Sequence, residues 1–329
     1  MFVKRQSVPP QKLSELIERT RKTIRLRHLS YSTEKTYLHW IERYAAFIHA
    51  LPDKSLDSPA KVEAFLTYLA IDETVSASTQ NQAFSALLFL YREVLGVDLG
   101  NMNALRAKRG QRAPVVLTHS HARQLIGAMR GDYQLIAQLL YGSGLRLMEC
   151  LRLRVKDIYL DRLQITVRDG KGDKDRLTIL PASLIEPLRA KIAARRVLHK
   201  TDLMAGDGEV QLPEAIARKY KNAPHDFGWQ FIFASPRLAV DPRDGKAKRH
   251  HILPTNVQRQ IKYAAESIKL DQPIGPHTLR HSFATRLLET GVPIHQVKEL
   301  MGHKSIETTM IYLHTGEQSG HTITSPLDT

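Results

Sequence analysis

The stretch at residues 277–283, HTLRHSF, begins a helical pattern and places two histidines and an arginine within seven positions. A zinc-protease helix would carry a glutamate directly after its first histidine, because some group must activate the metal-bound water. Here the intervening residues are Thr278, Leu279 and Arg280, and a fixed cation would repel a metal ion. Residues three or four apart share one helix face, so the stretch presents positive charge and N–H donors to an anion. Taken alone, it is explained equally well as a solvated basic helical turn.

The composition indicates which anion to expect. The chain has 329 residues, with 48 Lys and Arg against 33 Asp and Glu, a net charge of +15. Such an excess of positive charge is typical of proteins that bind nucleic acid. No apolar run approaches the roughly 20 residues that span a bilayer, and the N-terminal residues lack the apolar core of a secretory signal. The single cysteine, Cys150, excludes an internal disulfide framework and cysteine-based zinc sites. We therefore expect a reduced, cytoplasmic protein without a membrane partner.

The pattern of apolar residues predicts a mainly α-helical fold with a small antiparallel β-sheet, in two domains. Residues 1–105 form a helical domain: two helices lie within 12–50, with Ser32 opening the second, and further helices cover 59–70 and 78–95. Residues 106–114 form a linker without an acidic side chain, and it carries Arg106, Lys108, Arg109 and Arg112. In so basic a protein, we favour a strap along DNA phosphates over a solvated connector.

Residues 115–329 form the second domain. The segment LQITVRDGKGDKDRLTIL alternates apolar and polar residues around a glycine-rich centre, which predicts a β-hairpin. Its GKG lacks the spacing of a phosphate-binding P-loop, and GSGLRL lacks the third glycine of a dinucleotide fingerprint. We therefore expect no nucleotide cofactor and no metal. Residues 201–250 are predicted to be irregular, and the predicted helices of this domain cover 120–130, 132–142, 183–200, 254–268, 277–290, 293–301 and 305–313.

Several basic and hydroxyl side chains of this domain match the needs of phosphoryl transfer without a metal. The two non-bridging oxygens need fixed cations, best supplied as arginine forks, and further donors must reach the oxygens as charge builds. A nucleophile must attack, and a general acid must protonate the departing oxygen. The residues that could fill these roles are Arg146, Lys171, His277, Arg280, His303 and Tyr312.

This set resembles the catalytic signature of the tyrosine recombinases of the phage-integrase and Xer superfamily. GSGLRLMEC at 142–150 looks like the first arginine box of that family, and HTLRH at 277–281 looks like the second. GKGDKDR at 170–176 looks like the hairpin lysine, and LMGHKSIETTMIY at 300–312 looks like the box that ends in the nucleophile. The resemblance covers nearly the whole chain and implies a C-shaped clamp, in which a helical core-binding (SAM-like) domain joins an α+β catalytic domain.

The resemblance also implies a role for each residue. Tyr312 would attack the scissile phosphate and form a 3′-phosphotyrosine, and Lys171 would be the general acid. Arg146 and Arg280 would clamp the non-bridging oxygens, to which His277 and His303 would donate. In addition, Glu149 would orient the surrounding network, and His281 would be structural.

The segment at 213–251 is longer than its counterpart in a minimal Xer-type enzyme and is similar to the insertion of the integron integrases, which we place around 200–251. Those enzymes recombine gene cassettes by binding a folded single strand, the cassette hairpin, together with integron platform sites. A base that protrudes from a hairpin stem can stack on aromatic or imidazole rings for about 1–3 kcal/mol. The residues that match the expected base-binding positions are Trp229, Pro242, His250 and His251, although a buried core role explains Trp229 alone equally well.

The tail at 313–329 departs from the pattern. Leu313 follows the nucleophile where integron integrases usually have a smaller polar residue, and Gly316 and Gly320 stand where relatives tend to have apolar helix formers. Family resemblance implies a monomer in solution and a homotetramer on DNA, joined by this tail. Two glycines cost about 1 kcal/mol each within a helix, so we expect weaker docking of the tail.

Three other functions remain open at this point. A non-catalytic DNA-binding architectural protein would explain the charge and the helices but would need neither the hairpin lysine nor the tyrosine. A type IB topoisomerase would relax supercoiled DNA without exchanging strands. A Xer-like or phage-type enzyme acting on double-stranded sites is the nearest alternative, and the insertion argues against it.

Overall fold

The fold is that of a computed structural model, which describes residues 10–52, 55, 57–100, 102, 107, 114–168, 175–212, 214–241, 244–303, 305, 307–310 and 325–328. The chain divides into two compact units, Met1–Arg112 and Ala113–Thr329. The division falls within the predicted basic linker. Each unit has a hydrophobic core of its own.

The first unit is helical throughout its regular elements: α1 (Pro10–Leu26), α2 (Tyr31–Ala50), α3 (Ser58–Ile71) and α4 (Ala77–Phe89), which continues as a π-helical turn to Leu95. Polar side chains cap the start of three of these helices, since Ser30, Asp57 and Ser76 each accept a hydrogen bond from a first-turn backbone N–H. The prediction that Ser32 opens α2 is wrong by two residues. The Ser30 hydroxyl accepts from the backbone N–H of Thr33 at 3.1 Å, which leaves Ser32 in the first turn.

The core of the first unit consists of the apolar stripes that the helical periodicity predicts. Trp40, Ile41 and Tyr44 of α2 pack with the buried faces of α3 and α4. Within this core the hydroxyls of Tyr44 and Tyr91 form a hydrogen bond at 2.8 Å. Buried hydroxyls that pair with each other avoid the cost of an unmade hydrogen bond, so the stripes have a structural role.

The second unit is built around α6 and α11, which pack against each other in its centre. Its helices are α5 (His119–Gly127), α6 (Gly131–Ser143), α7 (Leu147–Leu151), α8 (Ile185–Met204), α9 (Glu214–Lys219), α10 (Pro254–Ser267), α11 (Pro276–Glu289), α12 (Ile294–Met301) and α13 (Glu307–Met310). At the end of α6, Gly144 adopts φ +63°, and a Cβ there would overlap the Phe283 ring of α11. Glycine thus allows the turn into α7 to approach α11 closely.

A three-stranded antiparallel sheet contains the predicted hairpin. Strands β2 (Gln164–Val167) and β3 (Arg176–Ile179) pair in the register Val167↔Arg176, and β1 (Ile158–Tyr159) adds an edge that the sequence did not indicate. Thr178 of β3 donates from its hydroxyl to the Ser143 carbonyl at 2.8 Å, which fixes the hairpin to the end of α6. The mainly helical fold with a small antiparallel sheet is confirmed.

The segment at 201–250 is more ordered than the sequence indicated. It contains α9 and a second antiparallel pair, β4 (Ala239–Val240) and β5 (Ala247–Lys248). Buried ion pairs hold it, since Arg249 donates through Nε and Nη2 to Asp202 at 2.6 and 2.5 Å. Charge pairs of this kind leave no hydrophobic periodicity, which is why composition alone suggested an irregular segment.

Residues 325–328 pack against α6 and the turn that precedes α8 within the second unit. The Ser325 hydroxyl donates to the Gly142 carbonyl at 2.7 Å, and the Asp328 carboxylate accepts from the backbone N–H groups of Ala182 and Ser183 at 2.7 and 3.1 Å. Within the described part of the chain, no helix is both long enough and apolar enough to span a bilayer.

Candidate active site

Arg146 stands at the start of α7, where the chain turns out of Gly144. Glu149, one turn later, accepts a hydrogen bond from the Arg146 backbone N–H at 2.8 Å and from its Nη1 at 2.6 Å. The Nη2 atom donates to the Gly302 carbonyl at 3.2 Å. The Arg146 side chain is 40% exposed, so part of its guanidinium faces solvent while two different segments fix its orientation.

Arg280 of α11 is almost completely buried, with 2% of its surface exposed. Its Nη1 donates to the Gly144 carbonyl and its Nη2 to the Met301 carbonyl. A buried guanidinium requires such partners, because burial of an unpaired charge costs several kcal/mol. Carbonyl oxygens orient the guanidinium without cancelling its formal charge.

His277 and His303 stand beside these arginines. Burial, Arg280 and Arg146, in that order, lower the pKa of His277 below its usual value. Burial and the same two arginines lower the pKa of His303 to about 4. Arg146 and Arg280 donate to the carbonyls of Gly302 and Met301, directly before His303, and His277 lies one helical turn before Arg280 on α11. The backbone thus places the four residues next to one another, and at neutral pH the histidines are uncharged N–H donors. The Nδ1 of His303 lies 2.9 Å from the hydroxyl of the buried Thr309, which holds the ring.

His281 lies on the next turn of α11, with its ring centroid 6.2 Å from that of His277. Burial, together with His277 and Arg280, lowers its pKa to about 4. The ring is therefore also neutral at pH 7. These contacts show what His281 touches, and its structural role stays a prediction.

Glu149 is the acidic centre of the site. Besides Arg146, it binds Arg176 in a fork, in which Nη1 donates to Oε1 at 3.0 Å and Nη2 to Oε2 at 2.7 Å. Arg280 Nη1 lies 3.7 Å from Oε2. Although burial opposes ionisation, the hydrogen bonds and charge of Arg176 and the hydrogen bonds of Arg146 lower the pKa of Glu149 to about 2. Three guanidiniums around one carboxylate leave a surplus of two positive charges.

Sequence reasoning missed Arg176, although the strand pattern contains a signal for it. Alternation along β3 turns Leu177 outward, where it is exposed, and puts Arg176 and Thr178 on the inward side. Inward polar residues with an outward leucine invert the usual pattern of a half-buried strand. Such an inversion indicates a buried partner of opposite charge, which here is Glu149.

The site is suited to hold a tetrahedral oxyanion. Oriented guanidiniums supply charge and forked N–H donors that match phosphate geometry, and two neutral imidazoles can donate further hydrogen bonds. Among the described residues, no three or more His, Cys, Asp and Glu side chains converge as a set of metal ligands would.

A second cluster lies in the insertion, around Trp229. The Trp229 ring is 8% exposed and packs with Val210, Leu212 and Phe231. Lys156 Nζ lies 2.7 Å from the centroid of its ring, so this face of the indole is covered. We call this group, with His250 and His251, the aromatic cluster.

The two histidines of the aromatic cluster are more accessible than Trp229. His250 stacks on Phe231 with a centroid separation of 5.9 Å and an interplanar angle of 17°, and the His251 ring meets it edge-on at 5.2 Å. Both imidazoles are partly buried, and burial is the main cause that lowers the pKa of each. They are therefore neutral rings at physiological pH.

Comparisons with known proteins agree with this chemistry. The sequence profile described as "Phage integrase family" matches residues 115–319, and that of the "Phage integrase, N-terminal SAM-like domain" matches residues 16–101. Proteins named "Integrase/recombinase" from Escherichia coli and Pseudomonas aeruginosa are each 42% identical over 322 residues, covering 98% of this chain and 95% of theirs. The solved XerH site-specific recombinase bound to difH substrate has a TM-score of 0.61 at 19% identity, covering 94% of this chain and 83% of that one, and it supports the fold.

The chain belongs to the phage integrase family. It is therefore a tyrosine site-specific recombinase, an enzyme that cleaves and rejoins DNA.

Several predicted residues of this recombinase lie outside the described residues. These are Lys171 of the hairpin tip, the nucleophile candidate Tyr312, Pro242 of the insertion, the linker residues Arg106, Lys108, Arg109 and Arg112, and the tail residues Leu313, Gly316 and Gly320. Their predicted roles stay predictions. The structure thus brings together Arg146, Glu149, His277, Arg280 and His303, and it places Trp229, His250 and His251 in a separate cluster of the same unit.

Proposed function

We propose that Arg146, Arg280, His277 and His303 bind the two non-bridging oxygens of the scissile phosphate. The observation that carries this proposal is that Arg146 and Arg280 both donate to the backbone of the Met301–Gly302 turn that precedes His303, while His277 lies one turn from Arg280 on α11. Charge increases on these oxygens as the nucleophile attacks, and fixed donors stabilise that charge without reorganising.

In this proposal Tyr312 is the nucleophile and Lys171 is the general acid. The Tyr312 phenol gives its proton to solvent water, and its oxygen forms a bond to phosphorus to give a 3′-phosphotyrosine. The bond from phosphorus to the 5′ oxygen breaks, and Lys171 gives that oxygen a proton to form a free 5′-hydroxyl. Strand joining is the reverse reaction with a new 5′-hydroxyl.

A substrate with a bridging 5′-thiolate tests the acid, because a thiolate leaves without protonation. Lys171→Ala is expected to cleave the oxygen substrate poorly and to recover on the sulfur substrate. Arg280→Ala is the matched control, since loss of a phosphate contact is not relieved by a better leaving group. Recovery of Arg280→Ala without recovery of Lys171→Ala would contradict the assignment.

We further propose that the enzyme is an integron integrase, which inserts and excises gene cassettes by recognising folded single-stranded cassette sites. The insertion supports this proposal, because it forms a structured part of the catalytic unit that presents partly exposed imidazoles beside buried rings. Of the predicted base-binding residues Trp229, Pro242, His250 and His251, the last three would form the surface for protruding bases. Since Trp229 is buried, we assign direct stacking to His250 and His251 and assign Trp229 to the support beneath them.

Binding to two hairpins tests this proposal. One hairpin carries protruding bases, and the other has the same stem without them. Stacking is worth about 1–3 kcal/mol per base, so the wild type is expected to prefer the first hairpin by about tenfold or more. Replacing both His250 and His251 by alanine should remove that preference, whereas contacts to phosphates, common to both hairpins, should persist.

The matched control in the same insertion is Tyr220→Ala, because Tyr220 is half-exposed and lies outside the aromatic cluster. This variant should keep the wild-type preference. Equal affinity of the wild-type enzyme for both hairpins, or for the top and bottom strands of one cassette site, would instead favour an enzyme for double-stranded sites.

We also propose that the basic linker contacts DNA backbone and that four protomers assemble on DNA. The first point is supported by Asn81 of α4, whose amide holds the backbone of linker residue Ala107 through hydrogen bonds of 3.0 and 3.1 Å. This junction adjoins a polar groove lined by hydroxyl and amide side chains of α2 and α4. Removing the charges of Arg106, Lys108, Arg109 and Arg112 together should reduce the salt dependence of DNA binding by about one unit of log–log slope per lost phosphate contact.

A further inference from the structure

The guanidinium of Arg176 joins three segments of the catalytic unit. It belongs to the first residue of β3, forks onto Glu149 of α7, and donates from Nε to the Leu300 carbonyl at 3.1 Å near the end of α12. Its side chain is 15% exposed. Each of its three nitrogens thus donates a hydrogen bond to another element of the site.

Arg176 also packs on the turn that carries His303. Gly302 adopts φ +61° at the end of α12, and a Cβ there would lie 2.8 Å from Cδ and Nε of Arg176. The carbonyl of the same glycine accepts from Arg146. Arg176 and Arg146 therefore hold Gly302 from its α-carbon side and its carbonyl side, and His303 follows directly.

The Arg176 fork also determines how Glu149 holds Arg146. Each carboxylate oxygen accepts one bond from Arg176 and one from Arg146, so the carboxylate plane is set by both residues. Without Arg176, Glu149 would be held by Arg146 and by Arg280 at 3.7 Å, and it would be free to turn fully toward them. A carboxylate paired only with the phosphate-binding arginines would draw their charge away from the substrate.

From this geometry we propose that Arg176 is a positioning residue for the cleavage reaction, one that fixes Arg146 and the Gly302–His303 turn and offsets the charge of Glu149. It is assigned as a positioning residue and not as a catalytic one, because its Nε, Nη1 and Nη2 atoms each donate to a protein oxygen. The proposal rests on the proposed roles of Arg146 and His303. In this proposal, strand β3 of the hairpin holds the phosphate-binding residues in place.

Single-turnover cleavage of a nicked substrate tests the proposal, with DNA affinity and melting temperature measured in parallel. Arg176→Ala is expected to reduce cleavage by about 10- to 100-fold, the usual effect of removing a residue that orients a catalytic group. DNA affinity should change less than about threefold, since most affinity comes from phosphate contacts elsewhere. Arg189→Ala, which removes an exposed arginine paired with Glu186 on α8, is the matched control for loss of charge.

Arg176→Lys is a second variant, which keeps the test valid if Arg176→Ala fails to fold. Lysine keeps the positive charge beside Glu149 but cannot form the fork, so we expect a folded protein whose cleavage is still reduced by about fivefold or more. Full activity of Arg176→Lys together with full activity of Arg176→Ala would overturn the proposal.

A DNA substrate with a methylphosphonate at the scissile position distinguishes a positioning role of Arg176 from a purely structural one. Replacing one non-bridging oxygen by methyl removes the negative charge that Arg146 and Arg280 must neutralise. The defects of Arg146→Ala and Arg176→Ala should both shrink on this substrate, by similar factors. A defect of Arg176→Ala that stays constant on both substrates, or that follows its loss of melting temperature, would show a structural role only.

The same experiment distinguishes this inference from the proposed function. If Arg146→Ala cleaves normally, the proposed phosphate site is wrong. If Arg146→Ala is defective while Arg176→Ala matches Arg189→Ala, the phosphate site stands and only the role of Arg176 is lost.

Discussion

The arginine site, formed by Arg146, Glu149, Arg176, His277, Arg280 and His303, and the aromatic cluster lie in the same unit. Both combine basic groups with rings, but they hold their cations differently. In the arginine site, guanidiniums donate to backbone carbonyls and share one carboxylate, which leaves two surplus charges for a ligand. In the aromatic cluster, Lys156 lies over Trp229 and the guanidinium carbon of Arg154 lies 4.5 Å from the Phe231 centroid. The first arrangement keeps charge available to an anion, whereas the second uses cations as packing partners of rings. The difference indicates that the arginine site carries out the chemistry, whereas the aromatic cluster provides a surface of defined shape.

The largest expected effect is on folding of the aromatic cluster. Trp229→Ala removes a buried indole, and such truncations cost about 3–5 kcal/mol in the free energy of unfolding. A clear fall in melting temperature, measured by calorimetry, is the expected result. Trp229→Phe should recover part of the loss, because it refills most of the volume. An unchanged melting temperature with selective loss of hairpin binding would instead make Trp229 a direct base contact.

The next effect is on chemistry at the arginine site. Arg280→Ala removes a fixed donor to the phosphate and should lower single-turnover cleavage by about 10²- to 10³-fold. Cleavage of a nicked DNA under enzyme excess measures this step without turnover. The contrast with Trp229→Ala is the informative result, since the latter should retain cleavage on a substrate without protruding bases at temperatures where it is folded. Similar cleavage defects in both variants would remove the distinction between the two clusters.

The smallest expected effect concerns protons at His303. Its pKa in the free protein is about 4, and a phosphate anion bound beside it should raise that value. Between the two pKa values the DNA complex binds more protons than the free protein, so affinity should increase as the pH falls through that window. We expect an increase of about two- to fivefold between pH 7 and pH 5.5.

Fluorescence anisotropy of labelled DNA measures this dependence, and His303→Gln is the control that lacks the titrating group. The variant should show a flatter dependence than the wild type. Matching slopes in the two proteins would mean that no phosphate reaches His303 in the complex.

The sequence predicted one of these clusters much better than the other. Arg146, His277, Arg280 and His303 were predictable because phosphate chemistry restricts which residue types can serve and because their spacing places them on helix termini and faces. The helices of the first unit were predictable for a similar reason, since apolar periodicity follows burial directly. The exact residue at which a helix begins was not predictable. At the start of α2, for example, the hydroxyls of Ser30 and Ser32 are both suitable caps.

The features that could not be predicted from the sequence depend on contacts between distant segments. Arg176 meets Glu149 only because β3 packs beside α7, although the inward arginine and outward leucine of that strand were a usable signal. The order of the insertion depends on the Arg249–Asp202 pair, whose members lie 47 positions apart. One face of the Trp229 ring is covered because Lys156, which belongs to a different element, lies over it. Pairings of this kind are set by tertiary packing and leave no local periodicity.

The most direct test of the central claim is formation of a covalent link between Tyr312 and DNA. A nicked suicide substrate traps the intermediate, because the freed 5′-hydroxyl fragment diffuses away before it can rejoin. After denaturation, the wild-type protein should migrate as a DNA-linked band, whereas Tyr312→Phe should bind the same DNA with unchanged affinity and give no such band. A covalent adduct that persists in Tyr312→Phe would contradict the account.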